Sequence, residues 1–248
     1  MAPNDRIKVA VTGACGRMGS LIVDNVRQAP DMELVAAFDK QVCKPEVIDA
    51  ARIDEVLHNL RPDVLIDFTV ASSSVEIIKA AAKANVRLVV GTTGFTLEQR
   101  QEAAQAVEGR VAAIISPNFS IGVNVFWKLL KQASESLPSA AYPAELIEAH
   151  HRHKRDAPSG TAIKAMDIIR GADPTRAIGS YSIRSGDIVG DHTVLFIGDG
   201  ERLEITHRAH SRQAFASGAM LAARYIMHKP PALYSMDDLM TDTTHERR

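Results

Sequence analysis

The chain has 248 residues, with 29 Lys and Arg against 30 Asp and Glu and a formal net charge of −1. That balance lacks the overall basic charge of a nucleic-acid binder, and 46% hydrophobic with 24% charged residues excludes a disordered chain. The length admits one large domain or two smaller ones, with a core that needs no covalent staples.

Two cysteines, Cys15 and Cys43, offer no disulfide framework, and their spacing fits neither a CxxC motif nor a zinc knuckle. A reducing cytoplasm is the expected compartment. Residues Met1 to Arg6 are polar and form no signal-peptide core. No run of ~18 apolar residues predicts a transmembrane helix.

The first run, Ile7 to Val11, reads as a strand and leads directly into Gly13-Ala-Cys-Gly16-Arg-Met-Gly19. Met18, Leu21, Ile22 and Val26 then recur at helical spacing, and Pro30 closes that helix. Glu33 to Phe38 is a second strand. Helices are predicted over Ile53 to Leu60, Ser74 to Ala84 and Leu97 to Val107. Strands are predicted over Asp63 to Phe68, Val86 to Val90 and Val111 to Ile115. Alternation of this kind builds βαβ units on a parallel sheet, and strands apolar on both faces suit a sheet covered on both sides.

After Asn118 the pattern changes. A helix over Val123 to Leu137, an extended run over Tyr142 to His150 and a helix over Ser159 to Ile169 come first. Three extended runs follow, Ile178 to Arg184, Thr193 to Gly198 and Arg202 to His207. Successive strands without helices between them predict a mixed or antiparallel sheet in a separate domain. A last helix, Phe215 to Met227, returns toward the first. The fold class is α/β: a Rossmann-like doubly wound parallel sheet with an α+β domain nested inside it. Residues 1–120 and 213–248 make the dinucleotide domain and residues 121–212 the other.

Gly13, Gly16 and Gly19 follow a strand and open a helix, where a tight turn lets a pyrophosphate approach backbone N–H groups. Asp39 ends the second strand, the position of an acid that binds ribose hydroxyls. In that register the GxxGxxG string predicts dinucleotide binding. Lys40 is placed to attract a 2′-phosphate that Asp39 disfavours, which suggests NADH use with NADPH tolerated; a solvated Lys40 is the alternative. Arg17 adds either a phosphate contact or a salt bridge elsewhere. Cys15 reads as a small turn residue. Gly91-Thr92-Thr93-Gly94 and Ser116-Pro117-Asn118-Phe119 follow the carboxyl ends of strands, where ligands bind in open α/β sheets, unless they are ordinary turns.

Glu148 to Thr161 is the densest segment, with three of the nine histidines within four residues. Histidine is the commonest metal ligand, but Arg152, Lys154 and Arg155 interleave and repel a divalent cation, so no metal is expected. A solvated basic loop is a second alternative. The favoured reading is an anion site with proton-transfer groups. Ser159, Gly160 and Thr161 then begin a helix whose N-terminus suits a carboxylate, and Gly160 carries no Cβ to obstruct it. The substrate is expected to be a small anion with one or two carboxylates.

The run from Glu145 to Ala162 closely resembles the signature of the 4-hydroxy-tetrahydrodipicolinate reductase family, also called dihydrodipicolinate reductases. Leu146 departs from the more usual Ile or Val. The similarity extends to Gly13–Gly19, Gly91–Phe95, Ser116–Asn124, Ser185–His192 and Glu204–Gly218. The resemblance implies reduction of a cyclic imine dicarboxylate by NADH or NADPH on the diaminopimelate route to lysine, with loss of water. It implies that His150 and Lys154 are the catalytic proton-handling pair. His151, Lys154, Ser159, Gly160 and Thr161 would hold the substrate. Gly13, Ala14, Cys15, Gly16, Arg17, Met18, Asp39, Lys40, Gly91, Thr92, Thr93, Ser116, Pro117, Asn118 and Phe119 would hold the cofactor. The family often has an acid followed by Arg where this chain has Asp39-Lys40, which keeps the charges but loses the guanidinium fork. The resemblance further implies a homotetramer assembled through the mixed sheet, with domain closure over the substrate. Nucleic acid and membrane are not expected partners. Two other classes stand beside this reading: a different Rossmann oxidoreductase acting on an anionic imine or aldehyde, and a non-catalytic dinucleotide sensor. The His/Lys segment followed by Ser-Gly-Thr disfavours both.

Overall fold

The computed structural model describes residues 6–242, so the polar stretch Met1 to Asp5 lies outside the described residues. The chain divides into two compact units, one of residues up to Phe119 together with those from Phe215, the other Ser120–Ala214.

The first unit is a seven-stranded sheet whose neighbouring strands are all parallel, covered by helices on both faces. In chain order it contains β1 (Ile7–Thr12), α1 (Arg17–Gln28), β2 (Met32–Asp39), β3 (Ile48–Asp49), α2 (Ile53–Leu60), β4 (Val64–Asp67), α3 (Ala71–Lys83), β5 (Arg87–Val90), α4 (Leu97–Val107) and β6 (Ala112–Ile115). The strand order β11-β6-β5-β4-β1-β2-β3 reverses between β1 and β4. Such a switch point opens a crevice beyond the carboxyl ends of the strands. Two apolar layers fill the faces: Val9, Val11, Ile22, Val26 and Ile66 on one side, Ala10, Phe38, Leu57, Leu65, Ile78 and Leu88 on the other. Alternate residues of β1 and β4 thus serve opposite layers, and this is why those strands are apolar throughout.

The unit is completed from the other end of the chain by α7 (Gln213–Ile226), β11 (Ala232–Tyr234) and α8 (Met236–Thr241). β11 pairs with β6, Ala232 opposite Ala112 and Tyr234 opposite Ile114. Gly218 lets α7 pass close to the chain, since a Cβ there would lie 1.7 Å from the Phe119 carbonyl oxygen. Neither β3, β11 nor α8 was expected from the hydrophobic pattern.

The second unit contains α5 (Ile121–Ser136), β7 (Ala144–His150), α6 (Gly160–Ala172), β8 (Ile178–Arg184), β9 (Gly190–Gly198) and β10 (Glu201–Ala209). Its sheet is mixed, in the order β10-β9-β7-β8, with β7 parallel to β8 and antiparallel to β9. One face of β7 and β9 (Ala144, Leu146, Val194, Phe196) packs on α5 and α6 through Phe126, Leu130, Ala165 and Ile169. The opposite face leaves Ile147, Tyr181, Ile183 and Ile197 exposed. Among the described residues, no helix is long and apolar enough to cross a membrane.

The two cysteines correct the sequence reading. Cys15 and Cys43 form a disulfide, with Cα atoms 6.0 Å apart across 28 residues. Cys15 lies in the turn after β1 and Cys43 in the segment after β2. Those strands are parallel neighbours, so their carboxyl-end loops lie side by side. This non-local juxtaposition is invisible to a count of cysteine spacings.

Candidate active site

In the first unit, a cavity of about 760 Å³ lies at the carboxyl ends of β1, β2 and β4, lined among others by Gly13, Gly16, Asp39, Lys40, Phe68 and Thr69. Gly13 has φ +74°, and a Cβ on it would lie 2.6 Å from the Phe68 carbonyl oxygen. A Cβ on Gly19 would lie 1.9 Å from the Gly13 carbonyl oxygen. The turn therefore needs glycine at both positions for different reasons, conformation at the first and helix–strand contact at the last. α1 starts after Gly16 with neither a side-chain cap nor an acid in its first turn. Its first N–H groups and partial positive charge are left for an anion.

Asp39 accepts the Cys15 N–H at 2.9 Å on Oδ2 and the Gln41 N–H at 3.1 Å on Oδ1. Each oxygen keeps a lone pair for a ribose hydroxyl. An open helix start, an oriented acid and a cavity of this size fit a dinucleotide. Ala14 is buried, Cys15 and Met18 are partly exposed, and Arg17 and Lys40 are exposed.

Beside this cavity the buried Asp67, at the end of β4, accepts from Thr12 Oγ1 at 2.7 Å, the Thr69 N–H at 3.1 Å, Thr69 Oγ1 at 2.8 Å, Thr92 Oγ1 at 3.0 Å and Ser74 Oγ. Sequence reasoning passed over this hub and over the lining residues Phe68 and Thr69; the strand end at Asp67-Phe68-Thr69, directly before a helix, was the available signal. The hub binds the β1, β4 and β5 loops into one frame. It also engages the Thr92 hydroxyl, so Thr92 has only its backbone to offer a ligand. Ser116 is likewise buried, with its hydroxyl on the Asn118 carbonyl at 2.9 Å, and the Phe119 ring lies in the core. Gly91 is confined by the Phe68 ring, 2.2 Å from a Cβ built on it, while Thr93 and Pro117 are exposed and Asn118 partly so.

In the second unit β7 carries Glu148 and His150 on its inward face, two residues apart, as strand alternation requires. Register brings His192 of β9 opposite Glu148 and Arg184 of β8 opposite His150. Glu148 is fully buried. Arg184 donates to both its oxygens, at 2.6 and 2.8 Å, His150 Nδ1 lies 2.5 Å from Oε2, and the Ser159 N–H donates to Oε1 at 3.3 Å. Burial opposes the charge on Glu148, but hydrogen bonds from Arg184, Ser182 and His150 outweigh it and hold its pKa at about 2. Burial lowers the pKa of His150 below its ordinary value against the pull of Glu148, and the charges of Lys154 and Arg184 lower it further. With Glu148 ionised and His150 neutral, the shared proton sits on Nδ1 and Nε2 keeps its lone pair.

His192 is buried at ring-centroid distance 5.1 Å from His150, edge to face. Burial first, then the neighbouring His150, pushes its pKa down to about 3. Its Nε2 lies 3.0 Å from Ser159 Oγ, which also caps α6 by accepting the Ala162 N–H at 3.2 Å. This corrects one expectation: the Ser159 hydroxyl is engaged inside the fold. What Ser159 supplies to an anion is the helix start it fixes. Gly160 is exposed, with open space where a Cβ would stand, and Thr161 and His151 are partly exposed. Lys154 reaches Asp156 at 2.9 Å, and this contact outweighs burial to lower the Asp156 pKa.

Glu148, His150 and His192 place their ligand atoms within 4.8 Å of one another, the geometry of a three-residue metal cluster. Both Glu148 oxygens already face the Arg184 guanidinium, a permanent cation, which disfavours a second one. Arg184 and His192 were not singled out from the sequence; they reach the site only through sheet register.

Fold and geometry together define an oxidoreductase that binds a nicotinamide nucleotide in a Rossmann-type domain. Residues 7–119 match the family described as dihydrodipicolinate reductase, N-terminus, and residues 122–240 match dihydrodipicolinate reductase, C-terminus. The chain belongs to the dihydrodipicolinate reductase family. It is 50% identical to a 4-hydroxy-tetrahydrodipicolinate reductase of Methanoculleus marisnigri over 251 residues, covering 94% of this chain and 99% of the relative. It is 47% identical to the protein of that name from Methanocaldococcus jannaschii, covering 94% and 97%. Among solved structures, the dipicolinate-bound dihydrodipicolinate reductase of a Paenisporosarcina species matches with TM-score 0.79 and 29% identity, covering 93% of this chain and 97% of that one.

Proposed function

We propose that this chain is a 4-hydroxy-tetrahydrodipicolinate reductase. It reduces (2S,4S)-4-hydroxy-2,3,4,5-tetrahydrodipicolinate to (S)-2,3,4,5-tetrahydrodipicolinate with NADH or NADPH, taking up a proton and releasing water, in lysine biosynthesis through diaminopimelate. The observation that carries this reading is the segment from Glu148 to Thr161. It joins an oriented histidine, a lysine and a capped helix start in a chain whose curated relatives bear that name.

The first unit holds the cofactor: Gly13 to Met18 at the pyrophosphate, Asp39 and Lys40 at the adenosine ribose, and the backbone of Gly91 to Thr93 and Ser116 to Phe119 at the nicotinamide. When bound, the nicotinamide supplies the hydride. The second unit holds the substrate. Lys154, with its Nζ released from Asp156, and the N–H groups at Gly160 and Thr161 take the carboxylates, with His151 beside them. His150 and Lys154 manage the proton. Glu148 fixes Nδ1–H and leaves His150 Nε2 as the acceptor, while the Lys154 ammonium carries the transferable proton at Nζ. The exposed apolar face around Ile147, Tyr181 and Ile183 supports a homotetramer joined through the mixed sheet.

Steady-state oxidation of NADH and of NADPH with the imine substrate tests the proposal. Turnover that depends on the substrate is expected with at least one cofactor. Its absence with both, in protein that binds either nucleotide, refutes the assignment.

A further inference from the structure

We infer that the Cys15–Cys43 pair is a thiol–disulfide modification site that sets the affinity of the cofactor cavity. The inference rests on the nucleotide-site reading above. Three observations converge on it. Cys15 belongs to the glycine-rich turn itself, and its own backbone N–H donates to Asp39 Oδ2 at 2.9 Å. The Gln41 N–H, two residues before Cys43, holds the other Asp39 oxygen at 3.1 Å. The disulfide therefore closes a ring around the ribose-binding acid: β1 turn, Cys15, Cys43, Gln41 and Asp39. Cys43 is exposed, so a reductant can reach it, whereas Cys15 is half-buried.

Without the cross-link, the exposed segment Gln41 to Glu46 is held by weaker ties alone: hydrogen bonds at Asp39, the Cys15 Sγ contact with the Gln41 carbonyl at 3.1 Å, and an exposed Arg27–Glu46 pair at 3.5 Å. Cross-linked, both walls of the adenosine end are positioned before the nucleotide arrives, and less ordering remains for binding to accomplish. The chemistry is an exchange with a dithiol, either a small molecule or a protein. One dithiol thiolate attacks the exposed Cys43 sulfur, the Cys15–Cys43 bond breaks and Cys15 leaves as thiolate. The second dithiol sulfur then displaces Cys43, closing the reductant into its own disulfide. The protein gains two electrons, and the two dithiol protons end on Cys15 and Cys43.

The test uses the whole protein purified without reductant, split into untreated and dithiothreitol-treated samples, with the dithiol removed before measurement. Thiol titration in denaturant should find no free thiol before treatment and both cysteines after it. NADH binding, followed by its fluorescence, should weaken about tenfold on reduction, and amide exchange over Gln41–Glu46 should quicken. Cys43→Ser should bind NADH as the reduced wild type does and ignore dithiothreitol. Free thiols in the untreated protein overturn the inference. So does equal or tighter NADH binding after reduction. Failure to bind NADH in either state overturns the nucleotide-site reading and this inference with it.

Discussion

Glu148 and His150 stand two residues apart on one face of β7, and the carboxylate of the first meets Nδ1 of the second at 2.5 Å. The same carboxylate is gripped from the other side by Arg184. His150 thereby has a fixed ring orientation and a fixed tautomer, set by a group that reaches no solvent.

Glu148→Gln keeps the shape and removes the charge. Arg184 then loses its ionic partner in a largely buried place, and stability should fall by about 2–4 kcal/mol in urea unfolding. The variant should also show a displaced acid limb in its pH–rate profile, since His150 loses the neighbour that favours its protonated form. A variant with wild-type stability and an unmoved profile contradicts the positioning role.

His150→Ala should reduce kcat by ~10²–10⁴, the range of a lost proton-transfer group, with little change in NADH binding. Lys154→Ala should raise KM for the imine and lower kcat together, because one ammonium serves both carboxylate and proton. Unchanged turnover in either variant removes that residue from the mechanism.

Asp39→Ala should raise KM for NADH by about tenfold or more, the loss of hydrogen bonds to a charged acceptor. The rise for NADPH should be smaller, since removing the carboxylate also removes repulsion of a 2′-phosphate while Lys40 remains. Equal rises with both cofactors speak against a ribose role.

Acid should act on the second unit in two stages. His192 titrates at about 3 in the fold against an ordinary 6.5, so the unfolded chain binds its proton first. Its contribution to stability is complete above pH ~6.5 and is lost as the pH falls toward 3, and His150 shifts in the same direction. Glu148 contributes fully above its ordinary 4.5 and loses its share as the pH falls toward 2. Urea midpoints measured from pH 7 to 4 should therefore decline in the wild type and decline less in His192→Asn. Parallel curves for the two proteins reject the assignment.

Tyr181→Glu on the open face of the mixed sheet should dissociate the proposed tetramer, as read by light scattering at low micromolar concentration. Tyr181 is 57% exposed in the isolated chain, so its replacement should leave the protomer's own stability nearly unchanged. A tetramer that persists places the interface elsewhere.

What the sequence made legible was local. Ile53–Leu60 and Leu97–Val107 agree with expectation to the residue, the second because Thr96 and Gln99 form a capping box that marks its start. The glycine turn, Asp39 and the His150–Thr161 run were readable because each lies within one short stretch. β3 has two residues and β11 three, too few for any hydrophobic period, and both exist through pairing at a sheet edge. Arg184, His192 and Asp67 escaped notice for a related reason. What makes them important is the register of a neighbouring strand or the convergence of three loops. The disulfide was misjudged on the same ground, since 28 residues of separation collapse only once β1 and β2 lie together.

The pairing of β11 with β6 matters also for a chain emerging from the ribosome. Ala112–Ile115 waits for partners at Ala232–Tyr234, so the nucleotide-binding sheet lacks this edge strand until residue 234 has been made. The unit of residues 120–214 is continuous and has every strand of its sheet well before then. Vectorial synthesis accordingly lets the inserted unit mature first and the enclosing one last. Truncation shortly before Ala232 would release a chain with a finished inserted unit and a β6 paired to β5 but open on its other side.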